Sequence, residues 1–440
     1  METAIIIIFI LGYLAIAFEH SLKIDKLVPA LVMMALIWAI ISFFGLTVYD
    51  IDPATKSLVP NKLEKVINYF LGHTAEILIF LIGAMTIVEI IDFFNGFSTI
   101  KNLIKTKSKI KILWIICFLA FFLSAIIDNL TATIVLITIL QKILKDRNLK
   151  LWYAGMIIVA ANAGGAWSPI GDITTTMLWI GKKVTPIALL KYLIIPSLVC
   201  MLIPTYVVSR YKVFQGEINP MVSKESENKF GSKILIIGLL SILFVPFFKV
   251  ATGLPPYVGM MLSLAVVATF AELFSGTKFN ISTPNEENIM HSQSPVHSAL
   301  TKIELPSILF FLGILRAVAA LESIGYLFEF AQYLETAIPD IRIVAGLLGL
   351  GSAVIDNVPL VAASIGMFSQ PLDDSLWHLI AYSAGTGGSV LVIGSAAGVV
   401  AMGMEKIEFF WYLKNIGWLA FLGFASGFIT FVLFEAYILI

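Results

Sequence analysis

Three aspartates stand inside long apolar stretches, where a carboxylate is costly unless its charge is neutralised. Asp128 and Asp356 each divide an apolar run into two arms, and Asp172 ends a glycine-rich segment. Burying a carboxylate in hydrocarbon costs about 2.5–3.5 kcal/mol even on the most lenient insertion scale. No Lys or Arg stands within these motifs. A bound cation or a proton must therefore supply the counter-charge.

Hard oxygen ligands surround the three aspartates, and this donor set favours a hard monovalent cation. Clusters of Cys or His would suit a transition metal, and an oxyanion site would need Arg. We therefore predict that Na⁺ and H⁺ compete for the same oxygens, because each neutralises a buried carboxylate. The predicted ligands besides the aspartates are Asn129, Thr131, Asn162, Ser168, Thr174, Thr175, Ser352, Asn357, Ser389 and Ser395.

Each aspartate also has a structural interpretation, as the N-cap of the helix that follows it. Capping and ion binding use the same oxygens, so the two roles are compatible. We predict that Na⁺ binds at the two tips, which are formed by Asp128 with Asn129 and by Asp356 with Asn357. Which aspartate carries the proton is left open.

Composition indicates that membrane-spanning helices position these residues. The 440 residues are 59% hydrophobic and 13% charged, with a mean hydropathy of +0.94, whereas soluble proteins are about 25% charged. Basic and acidic residues cancel at 29 each, which gives no overall basic field for nucleic acid. Neither a Walker lysine motif nor a dinucleotide fingerprint appears. We predict an all-α polytopic membrane protein that needs no nucleotide or organic cofactor.

Loop charge predicts that the arms around each tip form a re-entrant hairpin. Residues 112–127 and 129–141 are uncharged, and each is too short to cross a bilayer alone. Lysines crowd both flanks of the Asp128 run, so both flanks are expected in the cytoplasm. The flanks of the Asp356 run are acidic and are expected outside. Opposite polarity of this kind is typical of an inverted-topology repeat.

The two halves of the chain also repeat in their letters. Ser-Ala-Ile-Ile-Asp128-Asn129 matches Ser352-Ala-Val-Ile-Asp356-Asn357 at an offset of 228 residues (356 minus 128), and a Gly-Gly-x5-Gly spacing follows in each half. Such paired matches indicate duplication. The predicted parts are a first repeat over 1–209 with a broken helix over 151–181, a cytoplasmic linker over 210–232, and a second repeat over 233–440 with a broken helix over 375–404.

At these motifs the chain resembles the NhaD-type sodium/proton antiporters of the ion transporter superfamily. The two tips and the long segment from Asn162-Ala-Gly-Gly to Gly-Asp172-Ile-Thr174-Thr175 carry the resemblance. It implies a homodimer in a bacterial inner membrane that expels Na⁺ or Li⁺ and imports protons by alternating access. It also implies transport roles for the aspartates and for the oxygen ligands named above except Ser168, and less directly for Glu76.

Five other titratable residues within or near the spans are weaker candidates: His73, Glu76, Glu89, Asp92 and Glu322. Glu76 follows His73 by three residues, so the two can meet on one helix face. We predict that they sense pH or assist transport, and a solvated His73 is the competing interpretation. Asp92 and Glu322 each stand nine residues after a glycine and are predicted to be interfacial charges.

Three rival functions are left open. A dicarboxylate, sulfate or arsenite carrier of the same superfamily would share the fold, but its tips would lack acidic residues. An intramembrane hydrolase with paired aspartates would not need inverted glycine-rich repeats, and a passive channel would conduct without counter-transport. The sequence thus predicts a secondary transporter and not an enzyme.

Overall fold

The computed structural model describes residues 2–17, 22–52, 57–101, 106–218, 229–275, 294–338, 340–354 and 357–438. Asp356, the predicted carboxylate of the second tip, lies outside the described residues. The middle of the predicted linker, residues 219–228, also lies outside them.

Helices make up nearly all regular structure in the described ranges, which confirms the predicted all-α class. The first nine are α1 (Glu2–Ala17), α2 (Leu27–Phe43), α3 (Leu63–Phe93), α4 (Lys109–Ile127), α5 (Asn129–Ile143), α6 (Arg147–Gly165), α7 (Ile173–Ile180), α8 (Pro186–Ser209) and α9 (Gly231–Thr252). The others are α10 (Pro256–Ser275), α11 (Pro295–Lys302), α12 (Leu305–Ser323), α13 (Tyr326–Ala337), α14 (Ile341–Gly351), α15 (Asn357–Met367), α16 (Ser375–Gly387), α17 (Ala396–Glu405) and α18 (Trp418–Ile438). Short helical turns cover Ser98–Lys101, Lys212–Phe214, Phe409–Tyr412 and Leu413–Gly417.

A small antiparallel sheet, which the sequence does not predict, lies between α2 and α3. It pairs β1 (Val48–Asp52) with β2 (Ser57–Asn61), and Val48 lies opposite Asn61. These segments contain polar residues and a proline, and they lack the regular apolar alternation of a half-buried strand. Their pairing depends on contact between two short segments rather than on a local pattern.

Within the described ranges, seven helices are long and apolar enough to cross a bilayer, which makes the chain a multi-pass membrane protein. They are α3, α4, α8, α9, α10, α12 and the helical segment Phe409–Ala436. The longest, α3, has 31 residues, or roughly 46 Å at 1.5 Å per residue. With 16 residues, α1 is shorter than a typical span.

The arm that precedes Asp128 is longer than the sequence predicts. It begins at Lys109 and has 19 residues, because a lysine stem can lie along apolar surface while its ammonium group reaches the interface. Length therefore does not exclude a full crossing by α4. The following arm, α5, has 15 residues, and the re-entrant hairpin still rests on the charges of the loops.

Two helices end in glycine-rich sequence, and each is followed by a shorter helix a few residues later. The first break separates α6 from α7, and the second separates α16 from α17. A Cβ atom on Gly165 would lie 2.5 Å from the carbonyl oxygen of Gly171, and one on Gly388 would lie 2.6 Å from that of Gly394. Both breaks therefore bring backbone segments so close that only glycine fits.

Packing divides the helices into two groups, with α13 in contact with both. The broken-helix group consists of α4–α8 and α14–α18, and the frame group consists of α1–α3 and α9–α12. The groups meet where α3 packs against α7, α9 against α4, and α12 against α15. Two cavities lie at this interface.

Candidate functional site

Asp128 stands between α4 and α5 in a backbone conformation that only glycine adopts readily. Its φ and ψ angles are 83° and 159°, a region that costs other residues about 1–3 kcal/mol and is concentrated at functional sites. Its two carboxylate oxygens accept hydrogen bonds from Thr131, at 2.7 Å from the backbone N–H and 2.9 Å from the hydroxyl. Asp128 therefore caps α5, and two of the predicted ligands are adjacent.

Asp172 is a shared acceptor for the two predicted tips. It is 3% exposed and caps α7, since its Oδ1 accepts from the N–H of Thr174 at 3.2 Å. Its Oδ2 accepts from Nδ2 of Asn129 at 3.1 Å and from Nδ2 of Asn357 at 3.0 Å. A buried carboxylate is stable when it accepts several hydrogen bonds. The side-chain amides of both halves thus converge on one oxygen of Asp172.

Asn162 extends this cluster to the second glycine-rich break. The residue is fully buried within α6, and its Oδ1 accepts from Nδ2 of Asn129 at 3.0 Å. Its own Nδ2 donates to the hydroxyl of Ser389 at 2.9 Å and to that of Ser395 at 2.8 Å. We call the six residues joined in this way the amide cluster: Asn129, Asn162, Asp172, Asn357, Ser389 and Ser395.

Four helices begin at the amide cluster, and this fixes its electrostatics. α5 and α15 begin at the two asparagines of the tips, α7 follows Asp172, and α17 follows Ser395. The backbone angles of Asp172 (−147°, 150°) and Ser395 (−144°, 152°) are nearly the same, and each side chain caps its helix. Helix N-termini carry partial positive charge. The Asp172 carboxylate is therefore well placed to balance them, and the second half has a neutral hydroxyl at the matching position.

Two buried threonine hydroxyls near the cluster make no hydrogen bond in the part of the chain that the structure describes. They are Oγ1 of Thr174, beside Asp172, and Oγ1 of Thr133, one turn after Asn129. The neighbouring Thr175 hydroxyl instead donates to the backbone carbonyl of Asp172 at 2.9 Å. A buried hydroxyl without a protein partner indicates a site for water or an ion.

The other two predicted serines, Ser168 and Ser352, bond to backbone rather than to the cluster. The hydroxyl of Ser352 donates to the carbonyl oxygens of Gly349, at 2.7 Å, and Ala384, at 3.1 Å. Its counterpart Ser124 donates to the carbonyl of Ala161 at 2.6 Å. Ser352 therefore holds α14 against α16 in this conformation.

His73 and Glu76 lie on α3 in the frame group, apart from the amide cluster. The His73 ring meets the Tyr69 ring edge-on, with centroids 4.6 Å apart. In the described part of the chain, neither residue bonds to a predicted ligand, and their roles remain predictions.

A cavity of about 240 Å³ opens between the C-terminal half of α3 and α5. We call it the Asp92 cavity. Glu89, Asp92 and Glu304 line it together with Thr131, the residue that bonds Asp128. Asp92 is thus part of an acidic cavity wall at the junction of the two groups, rather than an isolated interfacial charge.

A second cavity, of about 350 Å³, lies at the other end of α3, where α3 and α12 face α7 and α15. We call it the Glu322 cavity. Its lining includes His73, Lys183, Glu322 and Ser369. Burial lowers the pKa of Lys183, which follows α7, and the negative charge of Glu322 opposes this shift. The two cavities approach the broken-helix group from opposite ends.

The structure joins six of the predicted ligands in the amide cluster and pairs Asp128 with Thr131. Sequence reasoning named Glu89 only as a weak candidate and did not include Glu304, Lys183 or Lys249. The matched spacing of Asp92 and Glu322 after a glycine was the available signal for the cavities. No sequence pattern pointed to the lysines, because their partners lie on distant segments.

Comparisons with known proteins match most of the chain to membrane transporters. The citrate transporter family (CitMHS) matches residues 5–377. Sodium/proton antiporter 1 of Arabidopsis thaliana is 40% identical over 432 residues, which are 97% of this chain and 71% of that protein. The Na(+)/H(+) antiporter NhaD of Alkalimonas amylolytica is 33% identical, over 93% of this chain and 86% of that protein. The Na(+)/H(+) antiporter NhaD of Vibrio cholerae is 31% identical, over 94% of this chain and 87% of that protein.

Proposed function

We propose that the chain, which belongs to the citrate transporter family and to the NhaD-type sodium/proton antiporters, exchanges Na⁺ or Li⁺ for H⁺ by alternating access. A protein of this family is a transporter and not an enzyme. The observation that carries the proposal is the buried carboxylate of Asp172, which accepts amide hydrogen bonds from Asn129 and Asn357.

The amides of the two tips can serve either state of Asp172. A side-chain amide has an N–H₂ donor at one end and a carbonyl acceptor at the other. With their N–H groups toward Oδ2, as in this structure, Asn129 and Asn357 stabilise the ionised carboxylate. Turned about the Cβ–Cγ bond, the same amides present carbonyl oxygens, which are suitable ligands for Na⁺.

Exchange follows because Na⁺ and H⁺ are alternative ways to neutralise one carboxylate. A proton on Asp172 removes the charge that attracts the cation, and a bound cation disfavours the proton. The unpaired hydroxyls of Thr133 and Thr174 offer further oxygen ligands. We retain the tips as part of the Na⁺ site, with Asp128 holding Thr131 in place, and Asp356 completes the proposed set.

The two cavities support alternating access. Both lie between the frame group and the broken-helix group, at opposite ends of α3. The lysine-rich loop that follows α3 assigns the Asp92 cavity to the cytoplasmic side. We propose that movement of one group against the other closes one cavity while opening the other.

The broken-helix group is linked across the two halves at both ends, which supports its movement as one body. Thr185, after α7, donates its N–H and hydroxyl to the carboxylate of Asp373, before α16, at 2.6 and 2.8 Å. At the other end, Gln141 of α5 donates to Glu405 of α17 at 2.9 Å. Each link joins a residue of the first half to a residue of the second.

A citrate-type carrier is the alternative, and the description of the matching family fits it. Such a substrate would carry negative charge to the buried carboxylate of Asp172, and no Lys or Arg belongs to the amide cluster. Electrostatics therefore favours the cation. We further propose a homodimer in a bacterial inner membrane; similar proteins from Arabidopsis thaliana indicate that the family is not confined to bacteria.

Proton movement in proteoliposomes with a preset pH gradient tests the proposal. Na⁺, Li⁺, K⁺ and citrate are added in turn to the parent, to Asp172→Asn and to the matched control Asp146→Asn. Asp146 is an exposed N-cap of α6, and Asn caps a helix as well as Asp does. We expect Na⁺ or Li⁺ to collapse the gradient in the parent and the control but not in Asp172→Asn. Coupling to citrate alone, or full activity of Asp172→Asn, would contradict the proposal.

A further inference from the structure

Lys249, in the last turn of α9, contacts the helix that carries Asp172. Its Nζ donates to the carbonyl oxygen of Trp179 at 3.2 Å and lies 4.6 Å from the centroid of the Trp179 ring. Trp179 is buried in the last turn of α7, where helix carbonyls carry partial negative charge. Lys249 thus binds one end of an eight-residue helix whose other end is capped by Asp172.

This contact crosses the interface between the two groups. α9 belongs to the frame group and α7 to the broken-helix group. On the frame side, Phe80 of α3 also meets the Trp179 ring edge-on, with centroids 6.4 Å apart. The end of α7 is therefore held against two frame helices, by an aromatic contact and by a charged hydrogen bond.

Lys249 bonds across the interface rather than to a carboxylate. Among the described residues, no ion pair within 4.0 Å includes Lys249. In this conformation its hydrogen-bond partner is the carbonyl oxygen of Trp179, in the broken-helix group.

We propose that Lys249 is a positioning residue that latches α7 to the frame group in this conformation and is released in each transport cycle. The inference rests on the proposed function, because alternating access requires the two groups to move apart at this contact. A charge-assisted hydrogen bond is strong enough for its loss to change a conformational equilibrium about tenfold. Without the latch, the exposure of the two cavities should shift in opposite directions.

Accessibility of the two cavities to a thiol reagent tests the latch. Two separate variants carry one reporter cysteine each: Ser369→Cys in the Glu322 cavity and Thr138→Cys in the Asp92 cavity. The rate of labelling by a membrane-impermeant maleimide is measured in right-side-out vesicles for Ser369→Cys and in everted vesicles for Thr138→Cys. The native thiols, Cys117 and Cys200, are buried and contribute little background.

Three substitutions separate the latch from a general effect of charge or packing. Lys249→Met keeps the stem over the Trp179 ring and removes the ammonium, Lys249→Arg keeps a charged donor, and Lys182→Met removes a neighbouring exposed charge. We expect Lys249→Met to change the ratio of the two labelling rates about tenfold, with the rates moving in opposite directions. Lys249→Arg should restore the ratio, and Lys182→Met should leave it near the parent value. If Lys249→Met does not accumulate, Lys249→Gln replaces it.

An unchanged ratio, or two rates that rise or fall together, would overturn the latch. Labelling needs no transported ion, so the latch and the exchange of Na⁺ for H⁺ are tested separately. If Na⁺ moves no protons in the parent but the ratio responds to Lys249→Met, the antiporter proposal fails and the latch stands. If exchange is present and the ratio does not respond, the latch fails alone.

Discussion

Replacing Asn357 by alanine removes one of the two amide donors to Oδ2 of Asp172. The lost hydrogen bond is 3.0 Å long, lies between buried residues, and ends on a carboxylate. Hydrogen bonds to charged groups contribute about 1.5–3 kcal/mol. A protonated carboxyl gains much less from the same donor, so nearly all of this energy favours the ionised form.

Asn357→Ala should weaken Na⁺ binding. The ionised Asp172 is the form that binds cations in our proposal, and Asn357→Ala destabilises it. Protons then hold the site at pH values where the parent has released them. At 1.36 kcal/mol for each pH unit, the pH of half-maximal exchange should rise by about 1–2 units. At a pH below that midpoint, the apparent KM for Na⁺ should rise about 10–100-fold, and alkaline pH should relieve the defect.

Recovery of the fluorescence of a pH-sensitive dye in everted vesicles, measured across pH and Na⁺ concentration, provides the assay. Asn415→Ala is the matched control, because it removes an amide hydrogen bond of 2.8 Å to the Trp411 carbonyl outside the amide cluster. Asn129→Ala, which removes the other donor, should shift the profile at least as far. A uniform loss of rate in Asn357→Ala, with no shift in pH dependence, would refute the reasoning.

Three further predictions concern the backbone and the cavity walls. Gly387→Ala should lower the free energy of unfolding by about 1–3 kcal/mol, because the added Cβ would overlap a nearby carbonyl oxygen. The effect would be seen as a lower Tm. In the control Gly403→Ala, the added Cβ meets nothing within 4 Å, so Tm should not fall. Asp128→Gly should abolish exchange while leaving Tm equal or higher, because glycine relieves the positive φ; a marked fall in Tm would count against that strain. The double variant Glu89→Gln with Asp92→Asn should raise the KM for Na⁺ several-fold at low ionic strength. Added choline chloride should reduce the difference in KM between variant and parent, because salt screens the charges. A difference in KM that persists in salt would argue against attraction of Na⁺ by the cavity wall.

Several elements of the fold could be predicted because their signals are local. Apolar composition predicts membrane helices, and these are present. The starts of α7 and α17 follow from residues that cap them, Asp172 and Ser395. The start of α4 was predicted less well, because the first apolar residue is a poor guide where Lys109 can reach the interface.

The candidate site could be predicted as a set of residues but not as an arrangement. The candidate oxygen ligands were named from residue type and position, and the sequence directed attention to the two tips. It could not indicate that Asn129 and Asn357 share one acceptor, or that the Ser352 hydroxyl binds backbone. These contacts depend on how the two breaks pack together, which no short-range pattern records.

By itself, the sequence determined the membrane class, the paired Asp-Asn motifs and the glycine-rich breaks, and it predicted a hard-cation site. Each follows from composition, from a short local motif or from the repetition of that motif along the chain. Only the tertiary structure decided that Asp172 joins both halves across 185 residues to Asn357, that two cavities flank the broken-helix group, and that Lys249 holds the far end of α7. The physical reason is that burial and hydrogen bonding between distant segments depend on packing, and packing is a property of the whole chain rather than of any local run of residues.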